Sequence, residues 1–214
     1  MSANGVYYCT NENLAAIVNS MDVNEADDII AICGSGDQAF AMLEKANSVV
    51  AVDNHKPQVE YAISRAEALR AGDYDGFFPE LGFRLGPKRY LKNGNLLAKV
   101  LPMKSRLEKI RLRLDKLDIR YVSDFMDEVK ERKFSKAYLS NMLGYNGESN
   151  AEVRWFVEKL AGKLREPGLI YAIYTPGLDG VKGIEKIKLP TMIARCREFI
   201  GSANWMPTVY RRKA

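Results

Sequence analysis

The chain has 214 residues, the size of one domain, and enough length to bury a sizeable core. Its 47% hydrophobic content is ordinary, and no apolar run approaches the ~18 residues that a membrane-spanning helix needs. The formal net charge of +5 is unevenly placed: positions 88–116 hold ten basic residues and two acids, Glu108 and Asp115. That asymmetry fits an anionic partner (a phosphate, a carboxylate, a membrane surface or nucleic acid) or a solvated helix face.

In chain order, residues 11–21 read as a helix with Leu14, Ile17, Val18 and Met21 on one face and Thr10 or Asn11 as the cap. Residues 29–33 read as a strand whose unbroken apolar character suits burial on both faces of a parallel sheet. A short helix over 38–46 and a second strand over 49–52 follow. Pro57 opens a long helix to about Ala71, as proline does in a first helical turn. Residues 72–95 break the pattern with glycines and aromatics, the composition of a lid or binding loop. Residues 96–117 read as a helix, kinked at Pro102, with Leu107, Ile110, Leu114 and Leu117 as its buried stripe. Strands are expected over 119–122, 137–139 and 169–174, a helix over 150–164, another over 191–200, and a last strand over 208–211. Strands alternating with helices predict an α/β fold, a doubly wound, mainly parallel Rossmann-like sheet in one domain over 1–214. Residues 72–117 form a loop-helix insertion in that reading.

The chemistry is concentrated at the predicted strand tips. The run Ile29-Ile30-Ala31-Ile32-Cys33 ends in Gly34-Ser35-Gly36-Asp37, and a helix follows at once. The next strand ends in Asp53, nineteen positions after Gly34. Strand, glycine turn, helix and a second strand ending in an acid make the layout of a nucleoside-cofactor site. The glycines let the backbone approach the ligand, and the acid accepts from both ribose hydroxyls. Gly34, Asp53, Asp124, Asn141 and Thr175 all fall at carboxyl ends of predicted strands, where ligands of such sheets sit. The three cysteines are widely spaced and there is one histidine, so reduced thiols and no metal site are expected. The first residues lack a basic stretch followed by an apolar one, so a cytoplasmic protein is expected.

These motifs resemble the class I S-adenosylmethionine-dependent enzymes. The resemblance covers about residues 11–175 and implies S-adenosylmethionine as cofactor. Gly34, Ser35 and Gly36 match the family's first strand tip, Asp53 its ribose acid, Asp124 and Phe125 its adenine contacts, and Ser140 and Asn141 the polar motif that faces the reacting centre. Nicotinamide dehydrogenases continue as Gly-x-Gly-x-x-Gly, and this chain has Ala39-Phe40 instead. The segments 34–40 and 51–58 are further similar to the betaine-lipid synthase-like family, which transfers the 3-amino-3-carboxypropyl group. His55-Lys56 stand as an insertion before Pro57. That similarity implies attack at the γ-carbon of the methionine arm, releasing methylthioadenosine, by transfer or by internal cyclisation. Methyl transfer to a small-molecule or lipid acceptor is the alternative.

Each residue also has a plainer reading. Asp53 could cap a helix, and Asp37 could cap the next helix or meet the cofactor's ammonium group. Asn54 follows the ribose acid and joins the expected cofactor contacts. Asn141, Tyr8 and Tyr145 are the candidates beside the reacting centre, the tyrosines through ring faces that stabilise a cation by ~0.5–2 kcal/mol. Tyr7 joins them as a ring face for the sulfonium, ordinary packing being the plainer reading of each tyrosine, while His55 reads as a polar loop residue and Cys33 as a small apolar filler. The expected partner is a small-molecule or lipid-head-group acceptor, or none if the reaction is intramolecular. Positions 88–116 allow membrane-surface contact. A nucleic-acid partner is disfavoured because aromatics are not interleaved with the basic residues after Tyr90.

Overall fold

A computed structural model describes residues 6–10, 12–78, 96–144, 149–173, 178, 180–197 and 207–213; of 96–103 and 193–197 it describes the backbone alone. Tyr145, Thr175 and residues 79–95 of the predicted loop lie outside these.

The sheet has seven strands in the order β3-β2-β1-β4-β5-β7-β6. They are β1 (Asp28–Ile32), β2 (Ser48–Asp53), β3 (Leu117–Tyr121), β4 (Lys136–Tyr138), β5 (Leu169–Ile173), β6 (Ile184–Lys186) and β7 (Pro207–Arg212). The β1–β2, β2–β3, β1–β4 and β4–β5 pairs are parallel, while β7 runs antiparallel to β5 and to β6. β1 therefore lies between β2 and β4, and the chain winds outward from it in both directions. The gap above β1 and β4 is the point where strand order reverses, the crevice in which open α/β sheets bind ligands.

Eight helices flank the sheet among the described residues: α1 (Leu14–Ser20), α2 (Asp37–Leu43), α3 (Lys56–Ala71), α4 (Tyr74–Phe77), α5 (Leu96–Arg111), α6 (Phe125–Glu131), α7 (Asn150–Lys163) and α8 (Lys188–Arg197). α1 is capped by Asn13, whose side chain accepts from the Ala16 N–H, and not by Thr10. The expected helix over 96–117 ends at Arg111; Leu114–Lys116 form one 3-10 turn and Leu117 already belongs to β3. Leu107, Ile110 and Leu114 are buried as the periodicity required.

β1 and β2 are apolar on both faces because both faces are covered. Ile29, Ala31, Val49 and Ala51 enter a core with α1, α2, α3, α4 and α5; Ile30, Val50 and Val52 enter a second core with α6 and α7. Each valine or isoleucine among them contributes ~1.5–3 kcal/mol when fully buried. Cys33 is buried in the first core, and burial pushes its thiol well above the ordinary range. It is an apolar filler, as expected.

At the amino ends of the strands, Asp27 and Lys136 form a buried ion pair at 2.5 Å. Ser135 Oγ donates to the same aspartate (2.8 Å), and Lys136 Nζ also donates to the Asp22 carbonyl (2.6 Å). This knot fixes β4 beside β1 at the edge opposite the crevice.

Candidate functional site

The glycine turn follows β1 directly. Gly34 has φ +48° and Gly36 φ +84°, left-handed conformations that favour glycine. A Cβ on Gly36 would lie 2.9 Å from the Phe40 ring, so only glycine fits there. The turn is held peptide by peptide. The Gly34 N–H donates to Asp53 Oδ2 (3.0 Å), the Gly36 N–H to the Cys33 carbonyl (2.8 Å), and Arg65 Nη1 to the Ser35 carbonyl (2.6 Å).

Asp53 sits at the tip of β2, half-buried, beside the turn. Its other carboxylate oxygen accepts from the His55 N–H at 3.0 Å. Both oxygens are thus engaged by backbone N–H groups, and a carboxylate with about four lone-pair sites keeps acceptor capacity for a ligand. Burial raises its pKa above the ordinary carboxylate value, opposed by the His55 and Gly34 backbone hydrogen bonds. Asn54 is exposed next to it, and His55 ends the extended stretch before α3 without a side-chain cap.

Asp37 is placed differently from either sequence reading. It is buried, pairs with Arg65 Nη2 at 2.9 Å, and accepts from the Thr10 N–H (2.7 Å) and Ser35 Oγ (2.8 Å). A carboxylate this far from water needs a cation, and Arg65 supplies it. Asp37 therefore supports the turn from beneath.

The third strand tip is also organised by local needs. Asp124 caps α6, its side chain accepting from the Met126 N–H at 2.8 Å. Phe125 is 7% exposed and packs on Phe156 with ring centroids 5.8 Å apart, as part of the second core. An adenine contact by Phe125 would use only its rim.

At the fourth tip, Ser140 adopts φ +51° and is half-buried with Asn141 beside it. Ser140 Oγ donates to Glu12 Oε1 at 2.8 Å. That same oxygen accepts from the Tyr138 hydroxyl, and Gln38 Nε2 lies 3.4 Å away. Burial, with the Glu12 carboxylate alongside, pushes the Tyr138 phenol well above its ordinary pKa. Glu12 was not legible as a site residue. It comes from a polar stretch before α1 and acquires meaning only where the chain crosses the gap above β1 and β4.

The residues preceding α1 form a strap over this crevice's helix side. Gln58 grips Tyr7 from both sides: its Oε1 accepts from the Tyr7 N–H (2.7 Å) and its Nε2 donates to the Tyr7 carbonyl (2.9 Å). The Tyr61 hydroxyl donates to the Tyr8 carbonyl (2.9 Å), and the two rings meet edge to face at 5.5 Å. Burial raises the Tyr61 phenol to a pKa of about 12. The strap thus brings Tyr8 to the helices that carry the turn and Asp53. Among the described residues the structure gathers Gly34, Ser35, Gly36, Asp53, Asn54, Ser140, Asn141 and Tyr8 along one edge of the sheet and its strap.

The basic stretch is less free than its charge suggests. Arg106 pairs with Glu44 (2.7 Å), Arg111 with Glu108 (2.9 Å), and Arg113 donates to the carbonyls of Leu43 and Ala46. No cluster of metal-ligating residues and no helix long and apolar enough to cross a membrane occurs among the described residues.

No protein-family model matches this chain, and no curated protein matches it. Solved structures do. The rRNA methyltransferase aviRa from Streptomyces viridochromogenes is similar at 16% identity over 99% of this chain and 87% of that one, with a TM-score of 0.57. A second structure of that enzyme gives 0.56 over 88% of its chain. Magnesium protoporphyrin IX methyltransferase from Synechocystis, with bound S-adenosylmethionine, is 11% identical over 94% of this chain and 76% of that one, at a TM-score of 0.49. At 16% identity the likeness to aviRa is one of architecture: the chain has the Rossmann-like fold of the class I methyltransferases.

Proposed function

We propose that the protein is an S-adenosylmethionine-dependent transferase, and that it transfers the methyl group. The observation that carries the cofactor reading is the junction of Gly34 with Asp53: a left-handed glycine turn whose first N–H is bonded to the acid at the neighbouring strand tip, at the sheet's topological switch point. The architecture shared with the rRNA methyltransferase aviRa supports the methyl group as the one that moves. The donor set fits the ligand. Asp53 offers a charged acceptor to a ribose diol, Gly34 and Gly36 offer backbone without side chains, and Ser140, Asn141 and Tyr8 offer neutral polar groups and a ring face toward a zwitterionic, cationic tail.

When bound, S-adenosylmethionine supplies an electrophilic carbon on a sulfonium. The chain's part is to hold that carbon in line with an acceptor and to exclude water. Asp53 and Asn54 would orient the ribose, Asp124 with the rim of Phe125 the adenine, and Ser140 and Asn141 the amino-acid arm. Tyr8 and Tyr145 would face the sulfonium. The acceptor would be a small molecule or lipid head group, with positions 72–117 shaping its site. Three arginines of that insertion are already committed to intramolecular partners, which weighs against a nucleic-acid acceptor.

A second reading is transfer or cyclisation at the γ-carbon. It is favoured by the segments 34–40 and 51–58, which resemble the betaine-lipid synthase-like family. Asp37 and Gln58 within them each bind the same strap. Incubating the protein with S-adenosylmethionine and candidate acceptors, followed by mass spectrometry of the nucleoside, separates the two. S-adenosylhomocysteine supports methyl transfer. Methylthioadenosine above a protein-free blank replaces it with γ-carbon chemistry. Failure to bind either S-adenosylmethionine or S-adenosylhomocysteine removes both.

A further inference from the structure

Arg65 is an arginine with 3% of its surface exposed, on a helix that otherwise serves as scaffold. Its three guanidinium nitrogens address three separate acceptors. Nε donates to the Phe77 carbonyl (2.9 Å), Nη1 to the Ser35 carbonyl (2.6 Å), and Nη2 pairs with Asp37 Oδ1 (2.9 Å). Phe77, Phe40 and Tyr61 surround its central carbon at 4.6, 5.5 and 5.8 Å from their ring centroids. A planar fork with fixed donor directions suits this task, and an ammonium on a flexible stem does not.

The acceptors matter more than the burial. Ser35 lies between the two left-handed glycines, which have no side chains to anchor them. Its carbonyl is the point where the body of the protein holds the middle of the turn. The neighbouring peptides are fixed by Asp53 and by the Cys33 carbonyl. Arg65 also binds Asp37, whose carboxylate takes the Ser35 hydroxyl and the strap's Thr10 N–H. One guanidinium therefore holds the turn, the first residue of α2, the end of α4 and, through Asp37, the strap.

We propose that Arg65 is a positioning residue for the cofactor site, fixing the geometry of the Gly34–Gly36 turn from beneath without touching the ligand. This rests on the cofactor reading above. Binding of S-adenosylhomocysteine is measured by calorimetry for the natural chain, Arg65→Ala, Arg65→Lys and Lys136→Met, with thermal unfolding of each. Lys136→Met breaks the other buried ion pair, at the opposite edge of the sheet, and reports what lost stability alone does to affinity. The expected result is binding weakened about tenfold or more in Arg65→Ala, the scale of one or two lost charge-assisted hydrogen bonds. Lys at position 65 should give an intermediate affinity. Added guanidinium ion should restore Arg65→Ala where equal sodium chloride does not, and Lys136→Met should bind as the natural chain does. Natural affinity in Arg65→Ala overturns the proposal. So does an affinity loss in Lys136→Met that matches its loss of stability as closely as in the Arg65 variants. If Arg65→Ala fails to fold, Arg65→Lys against Lys136→Met decides by the same criteria. A natural chain that does not bind the probe refutes the cofactor reading itself, a different outcome from either.

Discussion

The sheet carries a buried ion pair at each edge, and the two differ in what they hold. At the amino edge, Asp27 and Lys136 join their own strands and the residues leading into them. At the carboxyl edge, Asp37 and Arg65 hold a turn, two helices and the strap. The first pair resists separation of β1 from β4. The second fixes backbone that has no regular hydrogen-bond ladder of its own. Similar burial therefore serves stability in one place and shape in the other.

The sharpest way to break that contrast is at the amino edge. Lys136→Met leaves Asp27 buried without its cation and should cost about 3–5 kcal/mol of folding stability, the usual penalty for half of a buried pair. Denaturant unfolding would show it, while affinity for S-adenosylhomocysteine should not move. At the other edge the signs reverse. Asp53→Ala removes a charged acceptor for two ribose hydroxyls, each worth about 1.5–3 kcal/mol, so the dissociation constant should rise roughly 100-fold or more. The same residue predicts opposite pH effects on folding and binding. Burial raises the Asp53 pKa, so its ionised form costs folding free energy above the folded pKa. That cost disappears as pH falls from the folded pKa to the unfolded value. Affinity should fall over the same window, since the charged acceptor is lost, and Asp53→Asn should flatten the profile in a calorimetric titration.

A third, smaller change touches both stability and binding. Gly36→Ala forces a side chain into φ +84° and against the Phe40 ring. It should cost about 1–2 kcal/mol from the backbone alone, and weaken binding as well, by thermal shift and calorimetry together. The mildest is Ser149→Ala, which removes half of the capping box with Glu152 at the start of α7. About 1 kcal/mol of stability should go, with affinity intact.

How much of this was readable in advance depends on the distance over which each feature is determined. The turn, Asp53 and the strands β1 and β2 were legible because a continuous apolar run, two glycines and an acid suffice to specify them. The short strand β6 was missed because Ile184–Lys186 carries a single buried side chain and no alternation. Helix α6 was hidden because Asp124 and Phe125 suggested a ligand wall, while their capping and core duties depend on Met126 and on Phe156 from a distant helix. The strap, Glu12 and Arg65 are long-range: Glu12 meets Ser140 across 128 positions and Arg65 meets Ser35 across 30. No periodicity encodes such pairs. The charge of the basic stretch was legible, but not that Arg106, Arg111 and Arg113 are already engaged.

The bracket that Gln58 places on Tyr7 reads only main-chain atoms. Tyr7, 41% exposed, thus has its backbone held by a contact that does not depend on which side chain it carries. Any residue with a backbone N–H can keep both bonds, and proline can keep only the one to its carbonyl. A segment clasped in this way is fastened by its peptide group, so the fastening itself survives a change of side chain at position 7 and fails only where the N–H is lost or Gln58 is changed.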